Sequence, residues 1–140
     1  MNTHDLDFYT WTQEQAGYLR TKQINLIDWE NVAEEIEDMG RSEKRQLESR
    51  LEVLIMHLLK WQYQPNLRSR SWSLTLKEQR LRIEKLLQEN PSLRPKLDEA
   101  IDRVYPLAAI AAERETGLSV FPPSCPYTLE EILSSKFASD

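Results

Sequence analysis

The stretch Asp28–Tyr63 limits what this chain can fold into more than any other. It opens as an acidic amphipathic segment, DWENVAEEIEDMG, and continues past Gly40 as RSEKRQLESRLEVLIMHLLKWQY, whose second half is apolar on almost every side. A helix with one apolar face lies against a neighbour, whereas a helix apolar all round sits at the centre of a domain. The pattern predicts an all-α fold, a single-domain bundle of five to six helices over residues 1–140. Its central buried helix is expected at 43–64, with frayed termini at 1–6 and 137–140.

The helices follow from spacing and punctuation. Asp7 can cap a first helix striped with Phe8, Trp11, Gln15, Tyr18 and Leu19 and ending near Lys22. After a short connection at Gln23–Ile27, Asp28 can cap a second, with Trp29, Val32, Ala33, Ile36 and Met39 on its buried side. Glu30, Glu34, Glu37 and Asp38 fall on the other side, and acids near a helix start suit its dipole. Gly40 is placed to end that helix in a left-handed turn, and Ser42 to cap the next. The third helix, Glu43–Gln64, carries Leu47, Leu51, Leu54, Leu58 and Trp61 and stops at Pro65. Beyond the basic loop Asn66–Ser71, Ser71 can cap a fourth helix over Trp72–Glu89, with Trp72, Leu76, Ile83, Leu86 and Leu87 facing inward. Leu74 and Leu81 point the opposite way and predict a second contact. Pro91 starts a fifth helix to Glu115, which Pro106 should bend and Gly117 stop. Thr128 and Glu131 form a capping box for a final helix, Leu129–Lys136.

Composition narrows the classes. The one cysteine, Cys125, cannot close an internal disulfide, so a reducing cytoplasm is expected. The polar, acidic start MNTHDLDF is not a secretory signal, and the apolar run Val53–Leu59 is too short to span a bilayer. Charge is segregated: residues 41–85 hold eleven Lys/Arg and five acids, and the remainder seven and eighteen. Complementarity between helices explains that asymmetry, and so does an anion-facing surface.

Several motifs in order, EEIEDMGRSEK, LESRLEVLIMHLLKWQYQP, RSRSWSLTLKEQR, PSLRP, ETGL and CPYTLEEIL, resemble a bacterial family called domain of unknown function 29, abundant in cyanobacteria. The resemblance runs from Asp7 to Leu133 and implies a small, single-domain, all-helical protein. It supplies no catalytic residues to carry across.

The candidate sites therefore rest on side-chain chemistry. Glu35 borders the buried side of the second helix, and His57 lies inside the apolar run of the third. Were those helices antiparallel neighbours, the two could meet as a buried polar pair: a structural hydrogen bond, a general base or half a metal site. The acids of the second helix could hold magnesium, but they lack the Glu-x-x-His motif of dinuclear bundles, and a solvated face explains them as well. Arg68, Arg70, Lys77, Arg80 and Arg82 form a candidate anion-binding surface. Trp72 could stack on a base there only if it left the core, and Arg80 and Arg82 cannot face one duplex together. Glu30, Glu34, Glu37, Asp38, Leu74 and Leu81 form a candidate partner surface. Cys125 reads as an inert thiol with no base nearby.

The expected function is a non-enzymatic helical protein-interaction module that docks a protein partner or another copy of itself through a charged surface. No catalytic residue, metal ligand, cofactor or membrane contact is assigned. A nucleic-acid binder using the basic 68–85 region and a metal-dependent hydrolase using helix carboxylates and a histidine are the alternatives.

Overall fold

Leu47, Leu51, Leu54, Leu58 and Trp61 recur at helical spacing, and all five are buried. That spine belongs to the longest helix of the protein, whose computed structural model describes residues 3–139. Met1, Asn2 and Asp140, part of the termini expected to fray, lie outside the described residues. The described helices are α1 (Thr3–Leu6), α2 (Phe8–Arg20), α3 (Trp29–Tyr63), α4 (Arg70–Glu89), α5 (Leu97–Thr116) and α6 (Leu129–Leu133). Short 3-10 turns lie at Ile24–Leu26, Pro65–Leu67 and Pro91–Lys96, and no strand occurs among the described residues. The fold is all-α. None of its described helices is long and apolar enough to cross a membrane.

The largest departure from expectation is at Gly40. No helix ends there; α3 continues from Trp29 to Tyr63, and Ser42 caps nothing. One interior glycine costs only about 1 kcal/mol relative to alanine, and strong helix formers (Arg41, Glu43, Lys44, Arg45, Gln46) follow it. Arg41 also ties back across the glycine, pairing with Asp38 and lying 3.6 Å from Glu37. Gly117 is the glycine that does turn left-handed, with φ 73°, and it closes α5 as its position implied.

The chain forms two compact units, residues 3–42 and 43–139. In the first, Asp7 caps α2 as expected, accepting from the Thr10 amide at 3.0 Å. The helix ends at Arg20, two residues early, because Thr21 closes it and Lys22 takes a left-handed conformation at φ 57°. The buried residues described in this unit are few: Trp11 and Gln15 of α2, and Ile27 beyond it. Phe8 and Leu19, expected to face inward, are exposed.

The second unit holds the main core. The later half of α3 contributes Leu47, Leu51, Leu54, Ile55, Leu58, Leu59 and Trp61, matching the central helix expected at 43–64. Leu76, Ile83 and Leu87 of α4, Leu97, Val104 and Ala108 of α5, and Ile132 of α6 close around it. Each fully buried leucine contributes about 1.5–3 kcal/mol of transfer free energy, so this unit carries most of the stabilising burial. The Ser69 hydroxyl, two residues before the expected Ser71, caps α4 by accepting from the Trp72 amide at 3.2 Å. The segment expected to be helical from Pro91 is a 3-10 turn up to Lys96, and α5 begins at Leu97. The capping box of Thr128 and Glu131 is present, but α6 stops at Leu133, short of Lys136. Two tyrosines pin the extended crossing before α6: Tyr105 donates to Pro122 O at 2.7 Å and Tyr127 to Gln62 Oε1 at 2.7 Å.

Candidate functional site

Glu35 and His57 do not pair. They lie on one continuous helix, so the antiparallel arrangement that would join them does not exist. Glu35 Oε1 instead meets His4 Nε2 at 2.8 Å, while His4 Nδ1 lies 3.1 Å from Asp5 Oδ1. Two carboxylates on both ring nitrogens favour imidazolium, and the His4 pKa rises, chiefly through the Glu35 bond and next through Asp5. The ring stands edge-on to Trp11, 4.6 Å between centroids. Trp11 Nε1 donates to Asp28 Oδ2 at 3.0 Å, and Asn31 Nδ2 donates to the same oxygen at 2.8 Å. The Asn31 bond, with Trp11 assisting, holds the Asp28 carboxyl below its usual range. His4, placed on a frayed end by sequence, is therefore ordered in α1 and links it to α3. Nothing in the sequence at a separation of 31 residues could have marked that pair.

His57 is half-buried in the second unit, with Nδ1 2.9 Å from Val53 O. Burial lowers its pKa, and Lys60 lowers it further against the opposing Val53 bond. That is a structural hydrogen bond within the helix.

The polar edge of early α3, through Asp28, Asn31 and Glu35, is the side that engages α1 and α2. The apolar stripe expected to be buried faces water: Trp29, Ile36 and Met39 are 57%, 62% and 68% exposed. At 100° per residue these three lie within about 80° of one another, with Gly40 flanking them about 20° beyond Trp29. Glu30 and Glu37 border the stripe, and Glu34 and Asp38 lie further round, all four exposed. The sequence identified the stripe and misassigned its environment, because periodicity reports an apolar face and not what covers it.

The basic residues divide. Arg68 donates Nε to Trp61 O at 2.8 Å and lies over the Trp61 ring at 4.9 Å, so it serves the end of α3. Arg82 lies 3.7 Å from Glu78. Arg80, expected at the surface, is 93% buried by its 7% exposure, and donates Nε to Ile132 O at 2.9 Å and Nη2 to Glu131 O at 3.1 Å. Burial pushes its pKa down. Arg70 and Lys77 are exposed and form no ion pair among the described residues. Arg70, Leu74, Lys77, Leu81 and Lys85 fall within about 80° on one face of α4, giving a basic counterpart to the acidic stripe of α3. Leu74 and Leu81 on that face are 51% and 64% exposed. Trp72 packs, partly buried, against the core with Lys60 Nζ 4.7 Å above its ring, which removes it from any stacking role.

No cluster of three metal-ligating side chains occurs among the described residues. Cys125 is free, its thiol 3.7 Å from Tyr127 O, and burial raises its pKa away from the reactive thiolate. A family model described as "Domain of unknown function DUF29" matches residues 3–138. No curated protein and no solved structure matches the chain.

Proposed function

The chain belongs to the DUF29 family, and from that premise we propose that it is a non-enzymatic helical interaction module whose partner is a second copy of itself. The family's description assigns no activity, so the reading rests on the chain's own surfaces. The observation that carries it is the exposed stripe of Trp29, Ile36 and Met39, three large apolar side chains left in water on one face of α3. Large apolar patches with polar rims are a feature of docking sites. Acids on the rim repel an identical face, which disfavours stripe-to-stripe pairing and favours a basic amphipathic partner. The α4 face of Leu74 and Leu81, set among Arg70, Lys77 and Lys85, supplies that chemistry in every copy. Helix-on-helix docking of this kind uses anchors on one helix face, and Trp29–Ile36 and Leu74–Leu81 are each two turns apart, with Met39 one turn beyond Ile36. A bacterial cytoplasm, where Cys125 stays reduced, is the setting that suits it.

Light scattering across a range of concentrations tests the reading. The expected result is a mass above that of one chain, rising with concentration and falling as salt screens the rim. Ile36→Lys on one face and Leu81→Lys on the other should each weaken association about 10- to 100-fold, since each removes about 1.5–3 kcal/mol of apolar burial. A strict monomer at every soluble concentration, unchanged by either substitution, defeats the proposal.

A further inference from the structure

Among the described residues Arg80 is the only charged side chain that is buried. A buried guanidinium is tolerated when its charge is answered and its five N–H donors are used. Here two donors go to the carbonyls of Ile132 and Glu131, and no carboxylate of a described residue lies within ion-pair range. No described buried side-chain nitrogen lacks a partner, and Nη1 of Arg80 has no acceptor among the described residues. The Nη1 edge must therefore open outward, and the opening available is a groove of about 500 Å³ that Arg80 lines. The acid that lines that groove, Glu84, is engaged by Arg94 at 3.1 Å.

The groove has two chemistries. Ser73 and Lys77 of α4, with Ser135 and Ser139 of the C-terminal segment, add hydroxyl donors and a second cation beside Arg80. Leu76, Leu81, Leu133 and Ala138 supply apolar walls. Its volume falls in the range of small-molecule sites, about 300–1,000 Å³. We infer that the groove between α4 and the segment after α6 binds a small amphipathic carboxylate, its head group on Arg80 and Lys77 and its short hydrocarbon body along the leucines. A carboxylate there answers the buried positive charge with charge-assisted hydrogen bonds, which a neutral head group cannot do.

Decanoate is the probe and decanol its neutral control, titrated into the full chain and followed by amide chemical shifts and calorimetry. Decanoate is expected to move amides of 73–84 and 133–139. Decanol should bind about 10- to 100-fold more weakly, the factor set by one to two charge-assisted bonds. Ser73→Glu places a carboxylate in the groove one turn from Lys77 and should weaken decanoate by a similar factor without removing the arginine that holds α6, so the test does not depend on Arg80→Gln folding. Repeating the titration in the Ile36→Lys background separates this site from self-association: Lys77 and Leu81 belong to both the groove and the α4 docking face, so decanoate must bind there at least as tightly as to the parent chain. Equal binding of decanoate and decanol, shifts scattered over the surface, or no shifts at millimolar decanoate would each overturn the inference.

Discussion

His4 and His57 are the chain's two histidines, and their surroundings push them in opposite directions. His4, held by Glu35 and Asp5 and near Asp28, has a raised pKa, so its folded form binds a proton more tightly than the unfolded chain. Its contribution is fully present below the unfolded value of about 6.5 and is lost as pH rises through the higher folded value. His57, desolvated and beside Lys60, has a lowered pKa despite Glu115. Its contribution is present above about 6.5 and is lost as pH falls through the lower folded value. A proton-NMR titration should resolve two imidazole signals, one titrating above the free-histidine midpoint and one below. His4→Gln should abolish the upper transition and leave the lower one intact. A single shared midpoint near that of free histidine would contradict both environments. The caps and core residues at this scale were legible, since Asp7, Thr128 and the α3 leucines act as their spacing implied. The His4–Glu35 pair was not, because it depends on a tertiary approach that neither residue's neighbours encode.

At the scale of elements, α3 decides the outcome. A glycine before a polar, serine-containing run reads as a stop, yet the helix passes through because nothing after Gly40 offers a better conformation. Local stop signals are weak when both flanks favour helix and no proline follows. From Asp28 to Gln46 no residue of that stretch is buried, so propensity and the Arg41 pairs, not packing, sustain it. A Cβ added at Gly40 meets nothing within 4 Å. Gly40→Ala should therefore stabilise this stretch by about 0.5–1 kcal/mol. Hydrogen exchange of amides 37–46 should slow by up to about fivefold, the factor equivalent to 1 kcal/mol. Unchanged or faster exchange would mean the helix breaks at Gly40 in solution.

Over the whole molecule, the charge asymmetry seen in sequence resolves into two faces: acids beside an exposed stripe on α3 and bases beside another on α4. Pairing two different faces between copies closes as a two-fold dimer when both reciprocal contacts form at once, and is otherwise heterologous, closing into rings or running on as filaments. A mass distribution that stops at a dimer therefore means reciprocal pairing, and one that runs on means a single contact per pair. Sequence reading found the charged faces and the apolar residues on them, but it could not see that Arg80 had left the basic set for the interior.

The grip of Arg80 on two successive carbonyls at the end of α6 has a consequence for the tail. A lysine ends in a single compact ammonium and cannot reproduce a planar fork, so Arg80→Lys is no conservative change here. Residues 133–139 would then lose their tether, and carboxypeptidase should trim the variant back toward Leu133 while sparing the parent chain. How quickly that trimming proceeds reads out, without any ligand, whether the arm that walls the groove is closed.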